Sequence, residues 1–144
     1  MSTDCLGCRV VRGEHTPPGG ILLRRDGLVL HAVAGPSPLP GWLVLTSEMH
    51  VRALYDLEEP ALSSLGPLTR EVMRAQRAAL GAQHLYAFAI GDLLHHFHLH
   101  LVPRFADTPE RLRGRGCFEL QPGDALPAEF LAEAAEQVGR LLSR

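Results

Sequence analysis

His95-His96-Phe97-His98-Leu99-His100-Leu101-Val102-Pro103-Arg104 is the stretch whose reading decides the fold. Histidine and an apolar residue alternate three times before Pro-Arg. Alternation with period two predicts a half-buried strand, and successive side chains on a strand point to opposite faces. His96, His98 and His100 are therefore expected on one face, with Phe97, Leu99 and Leu101 on the other. The apolar face packs into a core. The histidine face must meet solvent, a metal, a phosphate or its own members, because Val or Thr would serve a plain strand better.

Four further strands are expected around it. Ile21-Leu22-Leu23 and Leu28-Val29-Leu30-His31-Ala32-Val33 flank Asp26-Gly27, a strong hairpin signal. Trp42-Leu43-Val44-Leu45-Thr46 follows the stiff loop 35–41, whose prolines fix φ and remove donors. Leu85 to Ile90 is the fourth strand. Gly91-Asp92 then turns into the histidine strand, expected over 93–102 and paired with the fourth as a tight hairpin. A short helix is expected near His50 to Tyr55. Residues 57–80 carry a three-to-four periodicity through Leu62, Leu65, Thr69, Val72, Met73, Gln76 and Leu80, which predicts a long helix. Gly66-Pro67 should kink or restart it. Residues 104–116 read as a solvated loop, or as a flap that carries Arg111, Arg113 and Arg115 to an anion. Cys117 to Leu120 reads as a short edge strand with a buried thiol at Cys117. Residues 127–142 form a final helix with Pro127 in its first turn.

At 144 residues the chain is expected to be one domain, with a core over about 5–104 and a C-terminal loop and helix over 105–144. A chain of this size buries roughly 70% of its unfolded surface and needs no staples. A net charge of -2 argues against a dedicated nucleic-acid binder. No apolar run approaches the roughly 20 residues that span a bilayer, and residues 1–8 lack the layout of a secretion signal. The cytoplasm is the expected compartment. Cys5-Leu6-Gly7-Cys8 suits metal or redox chemistry better than a disulfide framework. A thioredoxin-type pair follows a strand and opens a helix, whereas this pair precedes every expected strand, so a metal is favoured. Alone, the pair supplies only half a ligand set.

These pieces resemble the HIT (histidine triad) superfamily over Cys5 to Arg104. His96-Phe97-His98-Leu99-His100-Leu101-Val102 matches the triad pattern at every position. Pro40-Gly41-Trp42-Leu43-Val44-Leu45 followed by His50 is similar to the family's Pro-Gly-His strand and the histidine that ends it. Cys5-x-x-Cys8 is found in the zinc-bearing branch. The resemblance implies an α+β, HIT-like fold: a five-stranded antiparallel sheet with a long helix packed on it, here with a C-terminal helix added. It also implies a homodimer and cleavage at the α-phosphate of a nucleotide conjugate, of dinucleoside polyphosphate or phosphoramidate type.

Carried over residue by residue, the resemblance makes His98 the nucleophile. A neutral imidazole has one protonated nitrogen and one lone pair, so a fixed acceptor for the proton turns the lone pair to the substrate. Attack would give a nucleotidyl-histidine and split one hard displacement into two easier ones. His100 would donate to a non-bridging oxygen, and His95 or His100 could protonate the leaving group. His95, Asp92, Trp42 and Arg104 are the expected substrate contacts. Cys5, Cys8, His50 and His96 would form a closed Cys₂His₂ set for structural Zn²⁺.

The chain also departs from the pattern. Trp42 stands where the family usually has histidine, and an indole donates but cannot accept a proton. Gly91-Asp92-Leu93 replaces the polar Gly-Gln-Ser or Gly-Gln-Thr that contacts phosphate. Two other readings follow: a HIT-fold protein that binds a nucleotide or phosphate without turnover, and a hydrolase whose three histidines hold one catalytic metal.

Overall fold

A computed structural model describes residues 4–143. Five strands are present: β1 (Ile21–Arg25), β2 (Leu28–Ala32), β3 (Leu43–Ser47), β4 (His84–Phe88) and β5 (His98–Arg104). They form one antiparallel sheet in the order β1-β2-β3-β5-β4. The hairpin β1–β2 follows from local chemistry. Asp26 (φ 51°) and Gly27 (φ 79°) both adopt left-handed backbone, as a two-residue hairpin loop requires.

Register gives the sheet two distinct faces. Leu30 pairs with Leu45, and Leu45 with Leu99; Ala32 pairs with Leu43, and Leu43 with Leu101. These residues face the helices α2 (Ala61–Leu80) and α3 (Ala128–Gly139), which contribute Leu68, Val72, Ala75, Ala135 and Val138 to the same core. Each fully buried leucine contributes roughly 1.5–3 kcal/mol, so this face carries the fold. The opposite face bears His31, Val44, Thr46, His98 and His100, brought side by side by the pairs His31–Val44, Val44–His100 and Thr46–His98. It is left free to hold polar groups.

Gln76 ties the helix to this frame. Fully buried on α2, its Nε2 donates to Gly41 O at 2.8 Å and to Leu101 O at 2.9 Å. Gly41 sits in left-handed backbone (φ 76°), and a Cβ there would collide with Leu80 Cδ1. The Pro40-Gly41 step is therefore the point where helix and strand come closest.

Several expectations are corrected. The histidine strand begins at His98 rather than Leu93, so His96 stands ahead of it, and residues 89–97 form an irregular connection instead of a tight turn. β4 covers 84–88 rather than 85–90. The helix expected near His50–Tyr55 is a single 3₁₀ turn, Leu54–Asp56. α2 runs unbroken through Pro67. Both Pro67 and Ser63 are exposed, so water meets the carbonyl that proline leaves without a helical partner. The buried stripe of α2 is Ala61, Leu68, Val72, Ala75 and Gln76, whereas Leu62 is exposed.

Residues 110–118 form two 3₁₀ turns, Glu110–Leu112 and Gly114–Phe118, so the expected edge strand at 117–120 is absent among the described residues. Arg111 pairs with Asp124, and Arg113 donates to the carbonyls of Thr108 and Ala106. These two cations are spent on holding the segment together. Cys117 is fully buried, as expected, and burial pushes its thiol up to about 11. On α3, Phe130 is exposed, whereas Leu131, Ala134, Ala135 and Val138 are buried.

Candidate functional site

The N-terminal pair is built on a short helix. α1 (Leu6–Val11) starts at Cys5, whose Sγ accepts from Cys8 N at 3.4 Å. This capping contact puts both sulfurs at one helix end. His50 follows β3, and His96 precedes β5. The ligand atoms of Cys5, Cys8, His50 and His96 all lie within 4.8 Å of one another. Cys5 Sγ is 3.3 Å from His96 Nδ1, and Cys8 Sγ is 3.1 Å from His50 Nδ1 and 3.5 Å from His96 Nδ1.

These separations fit a tetrahedral ion. Zn–S near 2.3 Å and Zn–N near 2.0–2.1 Å imply S···N edges of about 3.6 Å. None of the cysteines is disulfide-bonded. His96 is fully buried and donates from Nε2 to Ser47 O at 2.6 Å, which leaves the Nδ1 lone pair toward the sulfurs. A ring nitrogen anchored on a carbonyl is the usual support for a metal-bound histidine. Burial also holds His96 below its ordinary pKa, hence neutral. The residues present therefore fit Zn²⁺, with every ligand position filled by protein and a structural role indicated. Gly7 lets the helix approach, since a Cβ there would lie 2.6 Å from His96 Cγ.

Phe97 separates the cluster from His98 and His100, and its backbone is held from both sides. Phe97 N donates to Val51 O at 2.7 Å, and Phe97 O accepts from Ser47 N at 3.2 Å. Immediately after it, His98 Nδ1 is 2.7 Å from His96 O. A carbonyl only accepts, so Nδ1 carries the proton and Nε2 keeps its lone pair.

His100 has the opposite tautomer. Trp42 Nε1–H donates to His100 Nδ1 at 3.0 Å, which leaves the proton of the neutral ring on Nε2. Burial, aided by the neighbouring His98 and His31, lowers His100 from 6.5 to about 4. The two rings meet edge to face, with centroids 4.9 Å apart. As neutral rings, the adjacent imidazoles thus present one acceptor and one donor.

Three other residues complete this surface. His31 is buried and lowered to about 4, chiefly by desolvation. It donates from Nδ1 to Ala32 O and accepts at Nε2 from the Thr46 hydroxyl, both at 2.7 Å. Phe118 packs edge-on against His100 (5.3 Å), Trp42 (5.2 Å) and Phe88 (5.2 Å). Sequence reasoning missed His31, Thr46 and Phe118. Strand register was the available signal for the first two, whereas nothing local marks Phe118.

A cavity of about 150 Å³ borders His31, Thr46, His98 and His100, walled by Leu6, Val10, Val33 and Leu94. A second, of about 380 Å³, also borders His98 and carries Arg52, Tyr55 and Asp92. The other expected contacts are scattered. Asp92 is exposed at the rim of the larger cavity. His95 is exposed and reaches only Asp92 O, at 3.2 Å. Trp42 is 5% exposed and engaged with His100. Arg104 lies four residues beyond His100 on the same face, its guanidinium 5.9 Å from the Tyr86 ring centroid, and it borders neither cavity.

No family model matches the sequence, and no curated protein matches it. Solved structures do match by shape. A Hit-like protein from Bartonella henselae, crystallised with an unknown ligand, superposes with a TM-score of 0.76 at 18% identity, covering 99% of this chain and 98% of that one. A hypothetical histidine triad nucleotide-binding protein from Sulfolobus tokodaii gives 0.74 at 15% identity, covering 95% and 91%. A Zn-bound histidine triad family protein from Mycobacterium smegmatis gives 0.68 at 18% identity, covering 97% and 99%. The fold on which this chain sets out its Cys₂His₂ cluster and its His98–His100 pair is that of the histidine triad proteins.

Proposed function

We propose that the protein is a hydrolase or nucleotidyl transferase acting at the α-phosphate of a nucleotide conjugate, with His98 as nucleophile. The observation that carries this reading is the 2.7 Å contact from His98 Nδ1 to His96 O, which commits Nε2 to acting as an acceptor. Nε2 attacks phosphorus and forms a P–N bond as the P–O or P–N bond to the leaving group breaks. His100 Nε2–H donates to a non-bridging oxygen as charge develops. The leaving group takes its proton from a donor, a part assigned to His95 from the sequence alone, since it borders neither cavity. Water or a second acceptor then attacks the nucleotidyl-histidine and restores His98. Asp92 and Arg104 retain their sequence-based assignment as substrate contacts, whereas Trp42, 5% exposed and bonded to His100, does not. Of these, Asp92 has support from its place on the larger cavity.

Zinc in the Cys₂His₂ set would supply rigidity. It would fix His96, whose carbonyl orients the nucleophile. The Sulfolobus tokodaii neighbour is described as nucleotide-binding, which supports a nucleotide ligand here. An edge strand at β4 and the apolar groove of Leu65, Met73, Leu85 and Leu99 beside it suit the homodimer that the resemblance implies. No helix among the described residues is long and apolar enough to cross a membrane. The cytoplasm stays an expectation from the sequence.

The test is release of AMP from an adenosine phosphoramidate and from a diadenosine polyphosphate. Wild type should turn over, and His98→Ala should lose roughly 10⁴-fold in rate or more. Equal turnover in both would remove His98 from its role. A second reading, binding without turnover, is favoured by the Asp92 carboxylate on the cavity beside His98. Saturable AMP binding with no hydrolysis in wild type would select it.

A further inference from the structure

We infer that Trp42 is a positioning residue: its indole N–H occupies His100 Nδ1 and thereby commits His100 to act only as an Nε2–H donor. The geometry is specific. Trp42 Nε1 lies 3.0 Å from His100 Nδ1, and an indole N–H can only donate. The alternative tautomer would set two N–H groups against each other at that distance. His100 therefore cannot place its proton on Nδ1 without breaking the contact.

Packing holds the arrangement. Trp42 is 5% exposed and belongs to a cluster with Leu39, Val44, Val102 and Cys117. Phe118, delivered by the C-terminal segment, lies edge-on against both Trp42 and His100. That segment is in turn closed by the paired Arg111 and Asp124. Trp42 has no exposed surface to spare for substrate. It acts through the ring it holds.

The consequence rests on the reading of His98 and His100 as the reacting pair. His98 and His100 are chemically identical side chains on one face of one strand, with centroids 4.9 Å apart. Two acceptors would leave the phosphate oxygen without a donor, and two donors would leave no nucleophile. The carbonyl of His96 and the indole of Trp42 break this degeneracy, each from its own side. A histidine at position 42 would be able to exchange a proton with His100, whereas Trp42 cannot. His100 is thus removed from proton transfer through Nδ1, and its service to the reaction is electrostatic.

The chain has one tryptophan, so its indole N–H gives a single resonance. In zinc-loaded, uniformly ¹⁵N-labelled protein at pH 7, a through-hydrogen-bond ¹⁵N–¹⁵N coupling should join that indole to a histidine Nδ1. The coupling should vanish in His100→Asn. Long-range ¹H–¹⁵N spectra should show His100 protonated on Nε2 in wild type and averaged between tautomers in Trp42→Phe. Absence of the coupling, an Nδ1-protonated His100, or an unchanged His100 pattern in Trp42→Phe overturns the inference. The first two readouts need no variant at position 42, so a poorly folded Trp42→Phe does not spare it.

Kinetically, Trp42→Phe should lower kcat for AMP release about tenfold, the worth of one hydrogen bond, with KM nearly unchanged. A raised KM with constant kcat would make Trp42 a substrate contact and overturn the positioning role. If wild type releases no AMP, the functional reading fails, while the coupling still judges the tautomer.

Discussion

Two sites share one five-residue stretch and are built on opposite logics. In the Cys₂His₂ cluster, four side chains from three separated parts of the chain converge, and their ligand atoms lie within 4.8 Å of one another. Every member is of a metal-ligating residue type, and Cys5-x-x-Cys8 carries a ligand spacing, so the family resemblance needed only to add His50 and His96. At the second site, His98 and His100 are the same residue in nearly the same place, and only their partners differ. A backbone carbonyl sets one, and an indole sets the other. Ligand sets are written in residue identity, whereas tautomers are written in packing.

Breaking the cluster should have the largest effect. Chelation, or Cys8→Ser, is expected to remove bound zinc and cost several kcal/mol, which lowers Tm by about 10 °C. Metal analysis beside a thermal scan checks this. A chelator that abolishes turnover without moving Tm would instead make the metal catalytic. Gly7→Ala tests the same cluster from its packing side. Its Cβ would meet the His96 ring at 2.6–2.9 Å, an overpacking expected to cost about 1–3 kcal/mol. Lower Tm together with weaker zinc retention is the expected outcome. An unchanged Tm would mean that α1 moves freely relative to His96.

The histidine face of the sheet should show itself in pH. His31 and His100 are lowered from 6.5 to about 4 in the folded chain. Between these values the unfolded chain binds more protons, so stability falls as pH falls. The stability from keeping both rings neutral is fully present above pH 6.5 and levels off below about 4. The slope is up to about 1.4 kcal/mol per pH unit for each group. His100→Asn should remove about one of these two contributions from urea-unfolding free energies measured between pH 4 and 7. An identical slope in the variant would show that His100 does not titrate as its burial requires.

Much of this was legible in the sequence, and the failures share a cause. The five strands and the hairpin at Asp26-Gly27 followed from alternation and turn chemistry, whereas the four cluster residues were legible only together with the family resemblance. The start of β5 did not follow, because the alternation of residues 96–101 runs across it without a break. In the fold, His96 is instead drawn to α1, and Phe97 bonds to Val51 and Ser47. The unbroken course of α2 through Pro67 depends on which side of the helix faces water, a tertiary fact. His31 and Thr46 pass for ordinary strand residues until β2, β3 and β5 are set in register. Phe118 lies in a stretch that sequence patterning assigned to an edge strand, yet it closes over His100.

The stitching of Phe97 has a consequence for how such a chain can change length. Its N–H and C=O are tied to Val51 and Ser47, so the step from His96 to His98 is anchored at its midpoint. One residue inserted or deleted there would hand the place of His98 to an apolar neighbour and pull His96 out of the cluster in the same event. The turn 121–124 is tied mainly to itself and to Arg111, and can grow or shrink. Between His96 and His98 the chain has a fixed gauge, and drift over evolutionary time is confined to what lies outside it.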